Sequence, residues 1–100
     1  MQFPKNKREI NPELLKKLKL DRCWVCNSRP VDPSHIKSRG SGGPDTEWNV
    51  VPKCRMHHTE WGWSWSKFLK KYPAFALRLR LLGWSWDSGR LDHPKLHSEL

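Results

Sequence analysis

Cys23-Trp24-Val25-Cys26 and, further along, Cys54-Arg55-Met56-His57-His58 decide how this chain is read. The pattern is Cys-x2-Cys, a gap, then Cys-x2-His. Each half sets two soft ligands on one tight turn, which suits a tetrahedral zinc ion. All three cysteines of the chain are used in this way. An odd number cannot pair completely as disulfides, so metal ligation in a reducing compartment is the expected use. Four protein ligands leave no open position, so the ion is expected to be structural. His57 and His58 are neighbours and either completes the set; the x2 spacing favours His57.

A staple of this kind is needed. One hundred residues with 36% apolar side chains make one domain with a limited core. Folds with less than about 70–80 residues of true core usually lean on a metal or disulfides, and zinc contributes about 10 kcal/mol or more to folding in small zinc modules.

On the N-terminal side, Asn11-Pro12-Glu13 reads as a helix start. Asn is a cap, Pro fits the first helical position, and the acid meets the positive end of the dipole. Leu14, Leu15, Leu18 and Leu20 form a short apolar stripe, with Lys16, Lys17 and Lys19 away from it. Residues 1–10 read as a flexible basic arm.

Between the two ligand pairs, residues 35–39 read as a strand and Gly40-Ser41-Gly42-Gly43-Pro44-Asp45 as a loop. Trp48–Val51 reads as a second strand ended by Pro52. From Cys54 a helix is expected to run to about Tyr72, with Trp61, Trp65, Phe68, Leu69 and Tyr72 on one face. Pro73 stops it. Residues 74–82 alternate like a strand, but their alanines and leucines favour a helix, and residues 83–100 look irregular. The expected organisation is the arm, then a single domain over 11–100, with its motif core at 23–72 and an extension at 73–100.

The formal net charge of +9 favours an anionic partner, nucleic acid above all. No stretch has the apolar length of a membrane span. The first residues lack the apolar core of a signal peptide. No membrane partner and a cytoplasmic location are therefore expected.

Ser34-His35-Ile36, Gly42-Gly43-Pro44-Asp45, Asn49-Val50-Val51-Pro52-Lys53-Cys54 and His57-His58 follow a definite order. A histidine on one strand precedes a Gly-rich loop, an asparagine on the next strand, then Cys and His opening a helix. In this order residues 23–72 resemble the HNH endonucleases of the ββα-metal fold, especially short phage and prophage members with an embedded zinc knuckle. The resemblance implies an α+β fold, a small zinc-stapled ββα-metal unit with flanking helices. It implies a phage-encoded or bacterial metal-dependent nuclease that hydrolyses DNA phosphodiester bonds to 5′-phosphate and 3′-hydroxyl ends.

Residue by residue, His35 matches the general base that takes a proton from water. Asn49 matches the middle asparagine that orients the hairpin and the base, or in some members touches the metal. His58 matches the helix-borne ligand of a catalytic divalent ion, such as Mg2+, Mn2+, Ni2+ or Zn2+. Cys23, Cys26, Cys54 and His57 keep the structural zinc. Two positions depart from the family. Ser34 stands where a metal-binding Asp or His is common. Gly62 stands where many relatives carry a second helical ligand; its bland reading is close packing near Trp61 or Trp63. Asp32, Asn49 and Glu60 are the available substitutes. The rival readings are a DNA-binding module that has lost catalysis, and a zinc-bearing module for a protein partner.

Lys37, Arg39, Lys53 and Arg55 bracket the expected site and are assigned phosphate contacts, with double-stranded DNA favoured over RNA by the resemblance. Lys67, Lys70, Lys71, Arg78 and Arg80 read as solvated faces or a secondary phosphate track. Of the seven tryptophans, Trp61 and Trp65 read as core, Trp84 and Trp86 as its cover, and Trp63 as the stacking candidate. His93 and His97 read as surface residues.

Overall fold

A computed structural model describes residues 8–97. The first seven positions of the expected basic arm lie outside the described residues. The chain divides between His58 and Thr59 into two compact units. Among the described residues there are four α-helices and one two-stranded sheet, and no helix is long and apolar enough to cross a membrane.

The first unit holds α1 (Pro12–Leu18), β1 (Asp32–His35), a 3-10 turn at Arg39–Ser41, β2 (Val50–Lys53) and the start of α2 (Arg55–Trp63). Asn11 caps α1 as its sequence predicts: its side chain accepts from the Leu14 N–H at 3.1 Å, and Pro12 opens the helix. α1 packs on both strands and buries Leu14. Leu20 falls beyond the helix end and is exposed. Of the described residues before α1, Arg8 and Glu9 are tied down rather than free. The Asp45 N–H donates to the Glu9 carbonyl, and Arg8 donates to the Gly43 carbonyl and to the Asp45 carboxylate.

The strands are antiparallel, with Asp32 opposite Lys53 and His35 opposite Val50. Both lie elsewhere than the sequence pattern suggests. β1 ends at His35 instead of starting there, and β2 runs through Pro52 instead of stopping before it. The reason is the register. Pro33 stands opposite Pro52, and a pair with no N–H on either side suits a non-hydrogen-bonded position. There the backbone groups point outward, so neither proline removes a ladder bond. The outward carbonyl of Pro52 accepts from the Trp24 N–H at 3.1 Å, which ties the ligand-bearing turn to the sheet edge.

The second unit holds the end of α2, then α3 (Trp65–Lys71), α4 (Pro73–Leu82) and a 3-10 turn at Pro94–Leu96. The single helix expected to about Tyr72 is two. Ser64 takes an extended conformation and its side chain accepts from the Lys67 N–H, so it caps a new helix. The bend gathers the aromatics. Phe68 meets Trp61 at 5.4 Å and Phe75 at 5.3 Å between ring centroids, both edge to face. Such pairs add about 0.5–1.5 kcal/mol each beyond burial. Residues 74–82 are helical as expected. His93, expected at the surface, is buried. Its ring packs edge-on against Trp84, and its Nε2–H donates to the Leu82 carbonyl at 2.7 Å.

One glycine in the first unit is required by close approach. A Cβ on Gly43 would sit 1.8 Å from the Lys37 carbonyl oxygen, whereas one on Gly40 would meet nothing within 4 Å. Gly43→Ala is expected to destabilise the protein by about 1–3 kcal/mol through overpacking. Gly40→Ala should stay within about 0.5 kcal/mol of the parent. Urea unfolding of the two variants checks the contrast.

Candidate functional site

The Cys-x2-Cys turn is built by its own backbone. The Cys23 N–H donates to the Ser28 carbonyl at 3.0 Å and the Asn27 N–H to the Cys23 carbonyl at 2.8 Å. Asn27 takes a left-handed conformation, φ 64°, which asparagine tolerates better than most residues. The second pair sits where β2 runs into α2, with the Cys54 carbonyl accepting from the His58 N–H at 2.8 Å.

These two turns bring Cys23, Cys26, Cys54 and His57 together, with all four ligand atoms within 4.8 Å of one another. The His57 Nδ1 lies 3.6 Å from Cys23 Sγ and 3.2 Å from Cys54 Sγ, and the Cys26 and Cys54 sulfurs are 3.9 Å apart. A tetrahedral zinc with bonds of about 2.0–2.3 Å sets ligand separations of roughly 3.3–3.8 Å. The donor set and its spacing fit the ion, and the cluster could hold one. Of the two adjacent histidines, His57 is the one in the cluster. The Val25 N–H points at Cys23 Sγ at 3.4 Å. A hydrogen bond with Ser28 lowers the Cys26 thiol pKa, while burial raises that of Cys54.

Lys53 corrects the sequence reading. It was assigned to phosphate, but it is fully buried, and its Nζ donates to Ser34 Oγ at 2.9 Å. Burial pulls its pKa down to about 7, with the Cys23 thiol acting the other way. No phosphate in solution reaches it. With zinc bound, three thiolates outweigh the two charges of the ion and favour the ammonium form nearby. Of the other three basic residues, Lys37 is half-buried and Arg39 exposed. Arg55 is exposed but tied to Asp32 at 2.8 Å.

At the other end of β1, His35 Nε2 lies 2.7 Å from Asp45 Oδ1, with both side chains largely buried. Asp45 also accepts from Arg8 at 2.8 Å and from the Asn11 N–H at 3.0 Å. Burial raises the Asp45 carboxyl, but the bonds from His35, Asn11 and Arg8 overcome it and hold the pKa down to about 2. Burial also lowers the His35 pKa. The carboxylate offsets part of that, and the charges of Arg39 and Arg8 add to it. A His35 below its ordinary value is neutral at pH 7. Its bond to Asp45 then assigns the proton to Nε2 and leaves the Nδ1 lone pair to accept.

Asn49 is buried and clamps the loop between the strands. Its Oδ1 accepts from the Lys37 N–H at 2.8 Å, and its Nδ2 donates to the carbonyls of Lys37 at 3.1 Å and Pro44 at 2.9 Å. His58 Nδ1 lies 3.5 Å from Asp32 Oδ2, and both side chains are part-exposed. The Arg55 hydrogen bond is the largest influence holding the Asp32 carboxyl below its usual range. Glu60 is held in the second unit by Tyr72 and Lys71. A Cβ on Gly62 would meet nothing within 4 Å, so close packing does not account for that glycine.

The described contacts therefore pair His35 with Asp45 by a hydrogen bond and His58 with Asp32 at ion-pair distance, and none joins the two histidines. Asp45 and Arg8 were not singled out from the sequence. Arg8 reaches Asp45 across 37 positions, which no local pattern signals, whereas His35 and Asp45 stand 10 positions apart within one sequence motif, where Asp45 carried no assigned role.

No family model matches the chain, and no solved structure does. Over 63 residues it is 33% identical to the uncharacterized protein YdfU of Escherichia coli (strain K12), covering 60% of this chain and 18% of that protein. The chain thus spans less than a fifth of the length of the curated relative it matches.

The depressed Asp45 carboxyl stabilises the fold in full above its unfolded value near 3.9, and that contribution drains away as the pH falls toward 2. Asp45→Asn is expected to cost about 2 kcal/mol at pH 7, measured by urea unfolding with zinc present. A loss under about 0.5 kcal/mol would contradict the role of this carboxylate.

Proposed function

We propose that this protein is a metal-dependent endonuclease of the HNH class, acting on DNA phosphodiester bonds within a zinc-stapled ββα-metal unit. The observation that carries this reading is the His35–Asp45 pair. A neutral imidazole fixed through Nε2 keeps Nδ1 for a water proton, and a positioned base of this kind is worth about 10²–10⁴-fold in rate. The orienting carboxylate then stabilises the imidazolium that forms. Asn49 holds the loop that carries Asp45's neighbours and so keeps the pair in place.

His58 and Asp32 are the residues that would hold a catalytic divalent ion, Asp32 supplying a carboxylate that the residue before the base does not; they stand at the opposite end of β1 from His35, so the reading requires one phosphodiester to reach both. Held there, a divalent ion would supply positive charge to offset the negative charge developing on the phosphate and the leaving oxygen. Arg55, beside Asp32, and Arg39, near His35, are cations suited to flanking phosphates.

A second reading has its own support. Ser34 stands at the position where relatives of this class carry a metal ligand, and it is buried and occupied with Lys53. This favours a module that binds DNA without cutting it.

Plasmid nicking with Mg2+, Mn2+ or Ni2+ separates the two. Wild type is expected to nick, with a rate that rises as His35 loses its proton and is flat by pH 7. His35→Ala is expected to lose at least about 100-fold of the rate while keeping its zinc and its fold. Asp32→Asn should raise the concentration of added ion needed for half-maximal nicking. No nicking with any ion, together with unchanged DNA binding by His35→Ala, would establish the binding module instead.

A further inference from the structure

The second unit carries a groove that neither the metal cluster nor the histidine pair uses. It has a volume of about 760 Å3 and is lined by residues of α3, α4 and the segment after them, among them Trp65, Leu69, Lys70, Leu77, Arg80 and Trp86. That volume lies in the range of small-molecule and nucleotide sites. Trp65 and Trp86 are both part-exposed. The Arg80 guanidinium sits 4.0 Å from the centre of the Trp86 ring, a cation–π arrangement that keeps the indole and the charge together. No carboxylate is among the lining residues.

We propose that this groove binds an unpaired stretch of nucleic acid, stacking bases on Trp86 and Trp65 and meeting phosphates with Arg80 and Lys70. Two indoles and two cations lining one concave surface fit the pattern of single-strand sites, where stacking is tolerant of sequence and basic side chains follow the backbone. Apolar side chains alone would suit a protein helix equally well. The cation content without a lining acid, on a chain of net charge +9, argues for the polyanion.

One local contact must yield. Arg80 Nη2 lies 3.3 Å from Asp87 Oδ1, with the aspartate largely exposed. An exposed pair of this kind is worth little, so a phosphate can replace the carboxylate. Among the described residues Lys70 makes no ion pair and is available as it stands. Trp63, the stacking candidate of the sequence reading, is 79% exposed on α2 and does not line the groove. The proposal does not depend on hydrolysis or on a catalytic ion.

The test uses the full chain with zinc and no added Mg2+, and a short fluorescein-labelled oligothymidylate followed by anisotropy at several salt concentrations. Wild type is expected to bind, and Trp86→Ala to bind at least about fivefold more weakly. Arg80→Gln and Lys70→Gln should each lower the salt slope by about one counterion. Lys70 is exposed, so its variant decides the matter even where Trp86→Ala disturbs the fold. Binding unchanged in all three variants would overturn the proposal. So would competition by a polyglutamate peptide as strong as that by unlabelled oligothymidylate, which would mark a charge patch for an acidic protein. Loss of plasmid nicking with oligothymidylate binding intact would count against the nuclease reading alone.

Discussion

Three sulfurs and one imidazole nitrogen lie within 4.8 Å of one another, drawn from two turns that are 28 residues apart in sequence. Without a cation, thiolates so close repel, and protonated thiols fill the space with weak donors. With a zinc ion the same geometry becomes the strongest set of bonds in the first unit. It joins the turn at Cys23–Ser28 to the point where β2 becomes α2. That junction sets where His58 emerges, one position after the ligand His57, and it places Asp32 beside His58 across the sheet end. Lys53 is buried by the same arrangement, its Nζ held by Ser34.

The other end of the sheet is organised by a different centre. Asp45 is completely buried and draws bonds from Arg8, Asn11 and His35, while Asn49 closes the loop that delivers it. This centre costs desolvation and is compensated by charge-assisted bonds. Burial keeps His35 uncharged against the pull of the carboxylate, and the bond to Asp45 fixes one tautomer. The tight contact of Gly43 with the Lys37 backbone belongs to the same loop.

Much of this was legible in the residues and some was not. The ligand spacing announced the cluster, because Cys-x2-Cys and Cys-x2-His leave few other uses for those side chains. Asn11-Pro12 announced a helix start, and the structure begins α1 there. Lys53 was read as solvent-facing because lysine usually is. Its burial follows from standing opposite Asp32 at the strand end beside the cluster, a tertiary fact. The second strand is displaced because Pro52 reads as a terminator, whereas Pro33 and Pro52, opposite each other at a non-hydrogen-bonded position, cost the ladder nothing. The break at Ser64 had a local signal, a capping residue two positions after Gly62, which the aromatic periodicity outweighed. Asp45 stood in the Gly-rich loop without an assigned role, since two of its partners, Arg8 and Asn11, converge from a distant segment.

The claim on which the rest stands is that one zinc ion at Cys23, Cys26, Cys54 and His57 holds the first unit folded. Thermal unfolding of the purified protein, followed by circular dichroism before and after metal removal and with the zinc content measured, tests it directly. The account predicts one zinc per chain, loss of the cooperative transition on removal, and its return on adding one equivalent of Zn2+. A metal-free protein that unfolds at the same Tm as the loaded one would contradict it.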